Sequence, residues 1–430
     1  MSKNNRFVIG GLIMKVLQWN NYTRKLENSD RIILGNRLNG KWLKISRECY
    51  EILELAIAQQ WTDSILYDHL ADEEDRGYFK NLLSHLYSAE LIVESQSVVD
   101  LQIDIVITHR CNLSCIHCCV DANSLNEREY FDTKAMKTIL KNVADCNPKT
   151  ICLTGGEPLV RDDFEELLIY LGSIYSGDIR LMTNGTLISE KNVELISKYV
   201  SAVDISIDGV DEESCSKIRG KGVFDKVIHA VKLLQEQGLT ELSLSMVLTK
   251  DNYPLRKKFI DLNNELGTFA APRIFSPIGR GKNNSTELMP ELDVLKEYEQ
   301  SKLENISLEN LHMCCCGALI KNYYIEYTGD ILPCGLLTDQ RYSIGNIMDI
   351  DDLKRYILQS EYKKQPGYKN WLKLQPENQE HCKDCNVNLF CWHCLHDLDL
   401  AIDSLESQHF DCSQIHGILN NLLWGDKNAN

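Results

Sequence analysis

Three cysteines lie close together near position 115, where Cys111, Cys115 and Cys118 follow the spacing C-x3-C-x2-C. Thiols at this spacing can converge on one inorganic centre. A structural zinc site, or a four-iron four-sulfur cluster held by protein alone, takes four protein ligands. Three thiols leave one metal position open, which is typical of a centre that binds a small molecule. The alternative interpretation is a zinc knuckle, with Cys119 as the fourth ligand.

The segments before these cysteines explain where they lie. Apolar residues alternate from Leu101 to Ile107, so the sequence predicts a strand that ends at the cysteine loop. A second motif, Gly155-Gly156-Glu157-Pro158, follows another predicted strand. Two glycines let a backbone approach a ligand closely, and a fixed carboxylate can accept hydrogen bonds from an ammonium group.

Together these motifs resemble those of the radical S-adenosylmethionine (SAM) superfamily, whose cysteine motif is C-x3-C-x-aromatic-C, with His117 here in the aromatic position. The resemblance implies a [4Fe-4S] cluster on Cys111, Cys115 and Cys118 whose open iron binds SAM. It also implies that the motif Gly155-Gly156-Glu157 receives the amino group of the methionine part of SAM. His117 is expected to lie against the adenine.

Two further motifs match the same family. Asn184 follows a predicted strand in Met-Thr-Asn-Gly, which the family places beside the cofactor. Ser206 and Arg219 belong to Ser-Ile-Asp-Gly and Arg-Gly, which resemble elements of peptide-modifying radical SAM enzymes. Ser206 can then hydrogen-bond polar groups of the methionine or ribose part of SAM. Arg219 can form a bidentate ion pair with the SAM carboxylate.

Alternating strands and helices from Leu101 to about Gly281 predict a parallel α/β architecture. The predicted strands are Ile103 to Ile107, Thr150 to Leu153, Ile179 to Met182, Ala202 to Ile207, Glu241 to Leu248 and Arg273 to Pro277. The predicted helices are Thr133 to Ala144, Asp163 to Ile174, Lys191 to Tyr199, Phe224 to Gln237 and Tyr253 to Leu266. Six such units fit the (β/α)6 partial TIM barrel that the resemblance implies, with the motifs at the carboxyl ends of strands.

The N-terminal part of the chain has a different pattern. Strands at Arg31 to Leu34 and Lys41 to Ile45 precede three helices that Ser46, Thr62 and Asp72 can cap, which predicts a small winged-helix-like α+β module. It resembles the PqqD-like RiPP recognition element, which implies that a precursor's leader peptide is added to a sheet edge as a strand. A DNA-binding wing and an inert scaffold are the alternatives, although no predicted helix carries a basic cluster.

Cysteines return in number after residue 310. Cys316, Gly329 and Cys334 follow C-x12-G-x4-C, and a second run follows C-x2-C-x5-C-x2-C. This layout resembles the cysteine-rich SPASM domain, although its second run ends in x3 where this chain has x2. The resemblance implies two auxiliary [4Fe-4S] clusters, whereas zinc ribbons are the alternative. The first cluster would use Cys334, Cys394 and ligands among Cys314, Cys315 and Cys316, and the second would use Cys382, Cys385, Cys391 and Cys412.

Composition narrows the class of protein. The chain has 430 residues, 43% of them hydrophobic, and a net charge of −16, which disfavours a general nucleic-acid surface. No apolar run is long enough for a membrane span and no export leader is present, so we expect a soluble cytoplasmic protein. Seventeen cysteines in a reducing compartment favour metal or cluster ligation over disulfides. We predict an arm at 1–15, the leader-binding domain at 16–97, the radical SAM barrel at 98–286, and a bridging helix (Glu287 to Ser307) with the SPASM domain at 287–430.

The three resemblances together predict a radical SAM oxidoreductase that modifies a ribosomal precursor peptide bound through its leader. It would cleave SAM to a 5′-deoxyadenosyl radical, using electrons from a flavodoxin- or ferredoxin-type reductant. A thioether crosslink is the first expectation and a carbon–carbon or cyclophane link the second. A sulfatase-type protein maturase and a zinc-binding winged-helix regulator are the other hypotheses.

Overall fold

The computed structural model describes residues 8–9, 12–13, 16–93, 99–291, 293–295, 306–392, 394–403 and 412–425. The chain forms two compact units. The first unit contains Met1–Val99, Lys296–Gly317 and Lys373–Asn430, and the second contains Asp100–Leu295 and Ala318–Leu372. Within the described ranges, no helix has the length and apolar character needed to cross a membrane.

The first unit begins with small antiparallel sheets. β1 (Val8–Ile9) pairs with β2 (Leu12–Ile13), and β3 (Gln18–Trp19) pairs with β7 (Ile92–Val93). The main sheet has the order β4 (Thr23–Asn28), β5 (Arg31–Asn36), β6 (Trp42–Ser46). The two predicted strands correspond to β5 and β6. β4 was not predicted because its sequence Thr-Arg-Lys-Leu-Glu-Asn has one buried residue, Leu26, so it lacks the alternation that indicates a strand.

The three predicted N-terminal helices are present as α1 (Arg47–Ala58), α2 (Asp63–Asp68) and α3 (Glu73–Ser88). Their predicted caps are confirmed, because the side chains of Ser46, Thr62 and Asp72 each accept a hydrogen bond from a backbone N–H in the first helical turn. The helices pack on one face of the sheet, where Ile32, Leu34 and Ile45 belong to a buried cluster that includes residues of all three helices.

The second unit is built on an eight-stranded sheet. Its order is β13-β12-β11-β10-β9-β8-β14-β15, and only β15 runs antiparallel to its neighbour. The strands are β8 (Gln102–Thr108), β9 (Thr150–Gly155), β10 (Asp178–Thr183), β11 (Ala202–Ser206), β12 (Leu242–Leu248), β13 (Phe269–Ile274), β14 (Asn322–Ile325) and β15 (Ile331–Leu332). Strands β8 to β13 are neighbours in chain order, as in a partial barrel.

Most helices of the second unit lie between those strands in the sequence, and the last two follow β15. They are α4 (Thr133–Asp145), α5 (Phe164–Ile174), α6 (Val193–Tyr199), α7 (Glu212–Arg219), α8 (Val223–Glu236), α9 (Arg256–Leu266), α10 (Arg280–Asn283), α11 (Ser285–Leu288), α12 (Leu353–Leu358) and α13 (Pro366–Lys373). The five predicted helices are confirmed, with Tyr253–Leu255 forming a 3-10 turn before α9. Helix α7 was not predicted, although Asp211 forms a capping box at its start.

One predicted strand is wrong in position. The sixth strand was expected at Arg273 to Pro277, but β13 spans Phe269–Ile274. Its Ala-Ala-Pro centre lacks the apolar alternation of the other strands, and a proline argues against a strand with neighbours on both sides. β13 is the edge strand of the sheet, where the missing N–H of Pro272 is tolerated.

The C-terminal segment returns to the first unit with α14 (Leu395–Asp403) and α15 (Cys412–Trp424). The second face of the N-terminal sheet packs against it, since Ile33 and Leu26 share a buried cluster with Met313, Phe390 and residues of α15. The N-terminal module and the cysteine-rich segments of this unit therefore share one core. The predicted bridging helix, Glu287 to Ser307, lies mostly outside the described residues, and α11 ends at Leu288.

Candidate active site

The three cysteines of the first motif lie in the loop that follows β8, as predicted. Cys115 is buried, whereas Cys111 and Cys118 are half-buried. The carboxyl ends of parallel strands lie at one edge of a sheet. The loops after β9, β10 and β11 therefore lie at the same edge as this cysteine loop. All the residues predicted to contact SAM lie in or after these strands.

Polar hydrogens point at each thiol of the loop. The backbone N–H of Leu113 lies 3.4 Å from the Cys111 sulfur, and that of Ala122 lies 3.5 Å from the Cys118 sulfur. A guanidinium nitrogen of Arg219 is 3.8 Å from the Cys115 sulfur. Donors to the sulfurs stabilise negative charge on cluster ligands and tune the potential of an iron–sulfur cluster. These contacts therefore fit three thiolates bound to a cluster.

Without a metal, the same surroundings disfavour the thiolate. Burial raises the pKa of Cys111 to about 11, and the nearby carboxylate of Glu157 adds to that increase. Burial also raises the pKa of Cys115. Because metals bind the deprotonated thiol, cluster binding displaces a proton from each of these groups at neutral pH.

Gly155 and Gly156 have a structural use in this chain. A Cβ atom on Gly155 would lie 2.5 Å from the Thr108 carbonyl oxygen, and one on Gly156 would lie 2.3 Å from the Arg110 carbonyl oxygen. The backbone N–H of Gly156 donates to Thr108 O at 2.9 Å. The close backbone approach expected from this glycine pair is thus seen against the start of the cysteine loop. Contact of either glycine with SAM stays a prediction.

Glu157 is completely buried and already accepts three hydrogen bonds from this chain. The donors are the Thr183 hydroxyl at 2.7 Å, the Asn184 backbone N–H at 2.6 Å and the Leu159 backbone N–H at 3.1 Å. Burial raises the pKa of Glu157, and these hydrogen bonds act in the opposite direction. The carboxylate therefore joins the end of β9 to the end of β10, and its predicted role as acceptor for the SAM ammonium stays a prediction.

Asn184 connects the end of β10 with the cysteine loop. Its side-chain amide donates to Asn112 Oδ1 at 2.9 Å and lies 3.9 Å from the Cys111 sulfur. Its own carbonyl accepts from the backbone N–H of Thr186 at 3.0 Å, which fixes the side chain in this orientation. Asn184 therefore lies beside the predicted cluster ligand Cys111, and its contact with the cofactor stays a prediction.

Asp208 is the acidic residue of the Ser-Ile-Asp-Gly motif, and it is the central buried charge of the site. It is fully buried, and its Oδ2 atom lies 2.6 Å from both His117 Nε2 and Arg219 Nε. Burial acts to raise the pKa of Asp208, but the charge of Arg219 and the hydrogen bond from His117 hold it well below its usual range. Because an ionised carboxylate only accepts, His117 Nε2 carries a proton.

Asp208 therefore fixes the orientation of the His117 and Arg219 side chains, which are both predicted to contact the cofactor. His117 is buried, and its Nδ1 has no hydrogen-bond partner among the described residues. An unpartnered buried ring nitrogen is consistent with a missing polar ligand at this site. Ser206, at the end of β11, accepts a hydrogen bond from the Ser245 hydroxyl at 3.3 Å and is only partly buried. Contacts of these side chains with SAM stay predictions.

The segment at 277–286, at the end of the predicted barrel, packs on the cysteine loop. Arg280 donates to the carbonyl oxygens of Cys115 and Ala122 at 3.2 and 2.7 Å, and Asn284 donates to Ile116 O at 2.8 Å. A Cβ atom on Gly279 would lie 2.3 Å from the Cys119 carbonyl oxygen. The glycine at this position therefore allows the segment to approach the loop closely.

Four thiols predicted to bind one auxiliary cluster influence one another in the first unit. Burial raises the pKa of Cys391, and charge on Cys314, Cys385, Cys382 and Cys412 raises it further. Charge on Cys385 and Cys412 likewise raises the pKa of Cys382, after burial. These four thiols and Cys314 are therefore close enough to influence one another's charge. Their ligation of one cluster stays a prediction. No three His, Cys, Asp or Glu side chains of the described residues are arranged to hold a single metal ion.

The remaining predicted ligands divide between the units. Cys334 belongs to the second unit, and Cys314, Cys315, Cys316 and Cys394 belong to the first. Cys314 is fixed to the loop before Cys394, since its backbone N–H donates to Leu389 O at 2.8 Å. Burial raises the pKa of Cys314 to about 12, and a backbone N–H from Trp392 lowers it. Assignment of these cysteines to individual clusters stays a prediction.

Comparison with known proteins identifies two domains. Residues 105–262 match the model of the radical SAM superfamily, and residues 315–386 match the SPASM iron–sulfur cluster-binding domain. The chain therefore carries a radical SAM domain and a SPASM domain, which bind [4Fe-4S] clusters and, in the first case, SAM. The predicted radical SAM and SPASM domains, the mixed α/β fold and the cofactor classes are confirmed.

Similar proteins include the mycofactocin maturase MftC of Mycolicibacterium smegmatis, 28% identical over 262 residues that cover 56% of this chain and 66% of that protein. The subtilosin biosynthesis protein AlbA of Bacillus subtilis is 25% identical over 393 residues, which cover 82% of this chain and 84% of AlbA. Streptococcus suis SuiB, solved with SAM bound, has the same fold, with a TM-score of 0.55 and 18% identity. That match covers 91% of this chain and 98% of SuiB.

Proposed function

We propose that this chain, which carries a radical SAM domain and a SPASM domain, binds a ribosomal precursor peptide through its N-terminal module and closes a thioether crosslink within it. The observation that carries the proposal is an open sheet edge beside an apolar groove in that module. The named relatives support peptide maturation as the reaction class, since MftC is a maturase and AlbA serves bacteriocin biosynthesis.

The groove lies between β6 and α3. Its volume is about 270 Å³. It is lined by Leu43, Lys44 and Ile45 of β6 and by Tyr78, Asn81, Leu82 and His85 of α3. Apolar side chains form most of this lining, and Tyr78 is 52% exposed. Side chains of an added strand could enter this groove alternately, which would select among peptides.

Strand β6 offers the backbone groups that such a peptide needs. Within the described ranges it pairs only with β5, so its other edge presents backbone N–H and C=O groups. A peptide that adds to this edge gains backbone hydrogen bonds, while contacts of its side chains with the groove give sequence specificity. The open edge and the groove support the PqqD-like assignment of residues 16–97. They favour a peptide ligand over DNA.

When bound, the cluster and SAM supply a 5′-deoxyadenosyl radical, formed with an electron from a flavodoxin- or ferredoxin-type protein in the cytoplasm. The chain's own residues orient and shield that chemistry. Asp208 fixes His117 and Arg219, and Glu157 fixes Asn184. Because these groups are buried and hydrogen-bonded to one another, they would be preorganised for a cofactor bound at this site.

Formation of each thioether crosslink removes two hydrogens from the peptide. The substrate carbon would lose a hydrogen atom to the deoxyadenosyl radical, and the substrate thiol would lose a proton. The sulfur–carbon bond would then form, and an auxiliary cluster held by the C-terminal cysteines would accept the one surplus electron. The peptide is therefore two hydrogens lighter for each bond made, and one cysteine thiol is lost with each.

Anaerobic co-expression with any short, cysteine-containing peptide encoded next to the gene for this chain tests the proposal. We expect a peptide that is two hydrogens lighter per crosslink and that binds one fewer alkylating group per crosslink. A peptide that loses two hydrogens but keeps all its thiols would contradict the thioether and indicate a carbon–carbon link. SAM cleavage with an unmodified peptide would contradict the maturase.

Groove variants separate leader recognition from chemistry. Tyr78→Arg should weaken leader binding at least tenfold without unfolding the module, because the side chain is half exposed. Leu55→Arg, on α1 and 51% exposed, is the matched control and should leave binding unchanged. Equal affinity of the Tyr78→Arg variant and the parent protein for the leader would contradict recognition at this groove.

A further inference from the structure

Arg37 is a buried cation in the turn between β5 and β6. Its side chain is only 3% exposed, and one guanidinium nitrogen lies 2.7 Å from Glu377 Oε1. The central guanidinium carbon is 5.1 Å from the centre of the Trp392 ring. Arg37 therefore extends from the N-terminal hairpin into the C-terminal cysteine-rich part of the same unit.

The Cys314–Cys316 run is held beside this guanidinium. Met313 donates its backbone N–H to Gly40 O at 2.9 Å, which fixes the residue before Cys314 to the same hairpin turn. On the other side, the backbone N–H of Trp392 hydrogen-bonds Cys314, and Cys314 donates to Leu389 O. Thiol and guanidinium are thus attached to the same two segments.

The polar groups around Arg37 are incompletely satisfied. Arg37 Nε, Glu377 Oε2 and Trp392 Nε1 are buried and have no hydrogen-bond partner among the described residues. A buried unsatisfied polar group destabilises the folded state, so native proteins normally supply it with a hydrogen-bond partner or a ligand. Glu377 is also shared with Arg24 at 3.4 Å, so one carboxylate serves two cations. The two guanidinium groups therefore carry one more positive charge than Glu377 compensates.

We propose that Arg37 is a positioning residue for the auxiliary cluster bound by the Cys314–Cys316 run and that its charge raises the reduction potential of that cluster. Four thiolates make a [4Fe-4S] centre anionic, and reduction adds one more negative charge. A fixed buried cation stabilises the reduced form more than the oxidised form, and net charge near the cluster is one of the factors that set its potential.

The placement follows from geometry, because Arg37 contacts the Trp392 ring and the hairpin turn of Arg37 is hydrogen-bonded to Met313, directly before Cys314. The interaction is independent of whether the groove at β6 binds a leader peptide, because it concerns the cluster alone.

The test is a dithionite titration, followed by electron paramagnetic resonance, of full-length protein in which Cys111, Cys115 and Cys118 are replaced by alanine. Only auxiliary clusters then remain. For Arg37→Gln we expect one midpoint to fall by at least about 59 mV, a tenfold change in the one-electron equilibrium. Arg37→Lys, which keeps the charge, should stay within threefold of the parent equilibrium. Glu377→Gln should shift the same midpoint upward.

Arg24→Gln is the matched control. Arg24 contacts the same carboxylate, but its side chain is 36% exposed, so water screens its charge and we expect less than a threefold change. Loss of cluster iron in Arg37→Gln but not in Arg37→Lys would also support the charge role. Unchanged midpoints in Arg37→Gln, or an equal fall or equal iron loss in both Arg37 variants, would overturn the proposal.

Discussion

His117 Nε2 lies 2.6 Å from Asp208 Oδ2, so the cysteine loop after β8 is fixed to the residue that follows β11. Arg219 approaches the same oxygen at 2.6 Å and continues to the Cys115 sulfur. One buried carboxylate thereby orients a ring, a guanidinium and, through the guanidinium, a predicted cluster ligand. The geometry of the site depends on this charge.

Removing that charge should destabilise the protein. Asp208→Asn keeps the size of the side chain but leaves Arg219 as a buried cation without its partner, which costs about 3–5 kcal/mol of unfolding free energy. Anaerobic denaturant unfolding measures the change. Asp211→Asn is the control, because Asp211 is an exposed helix cap and asparagine caps equally well. Equal stability of the two variants would contradict the role given to Asp208.

Gly156→Ala should displace the cysteine loop, because its Cβ atom would lie 2.3 Å from the Arg110 carbonyl oxygen. We expect a lower iron content per chain and slower release of deoxyadenosine, both measurable on anaerobically purified protein. Gly77→Ala is the control. Gly77 lies in α3 with no atom near the added carbon, so alanine should increase stability by about 0.5–1 kcal/mol. Full iron content in Gly156→Ala would contradict the expected displacement.

Cluster retention should depend on pH. The pKa of Cys111 is about 11, so its free thiol is protonated at neutral pH and ligation releases a proton. Raising the pH therefore favours the bound state, and the iron kept against a chelator should increase from about pH 7 to about pH 9. Iron measurements after chelator exposure at each pH check this. Retention that is flat or falls with rising pH would contradict ligation of a thiol with a raised pKa.

Because the N-terminal module and the cysteine-rich segment share one core, contacts from that segment should stabilise the N-terminal module. Met313 is 1% exposed and packs against Gly35 of β5, so Met313→Ala should lower the unfolding free energy by about 2–5 kcal/mol. Met348→Ala, at a residue that is 48% exposed, is the control and should cost under about 0.5 kcal/mol. Thermal unfolding followed by tryptophan fluorescence would report both, and no difference between them would contradict a common core.

Local patterns in the sequence predicted most of the fold. Five of the six parallel strands have apolar residues at the expected positions, and the caps Ser46, Thr62 and Asp72 marked the helix starts. β4 and β13 were missed or misplaced because edge strands need fewer buried side chains, so their sequences carry little alternation. The addition of β14 and β15 to the sheet depends on long-range pairing, which no local pattern records.

Residues of the site were predictable only where a motif marks them. The three cysteines and Gly-Gly-Glu-Pro have fixed spacing, whereas Arg280 contacts the cysteine loop from a residue about 165 positions later. The role of Asp208 could have been predicted from its place in a motif that is paired with the motif of a basic residue, Arg219. No sequence pattern indicated Arg37, because the residues that contact it, Glu377 and Trp392, come from the opposite end of the chain.

The most direct measurement is the amount of deoxyadenosine released when anaerobically purified, cluster-loaded protein receives SAM and a strong one-electron reductant. The account predicts release by the parent protein and none above background when Cys111, Cys115 or Cys118 is replaced by alanine, while the auxiliary clusters remain bound. Release that is absent from the parent, or unchanged in the three variants, would contradict the assignment of those thiols to the cluster that cleaves SAM.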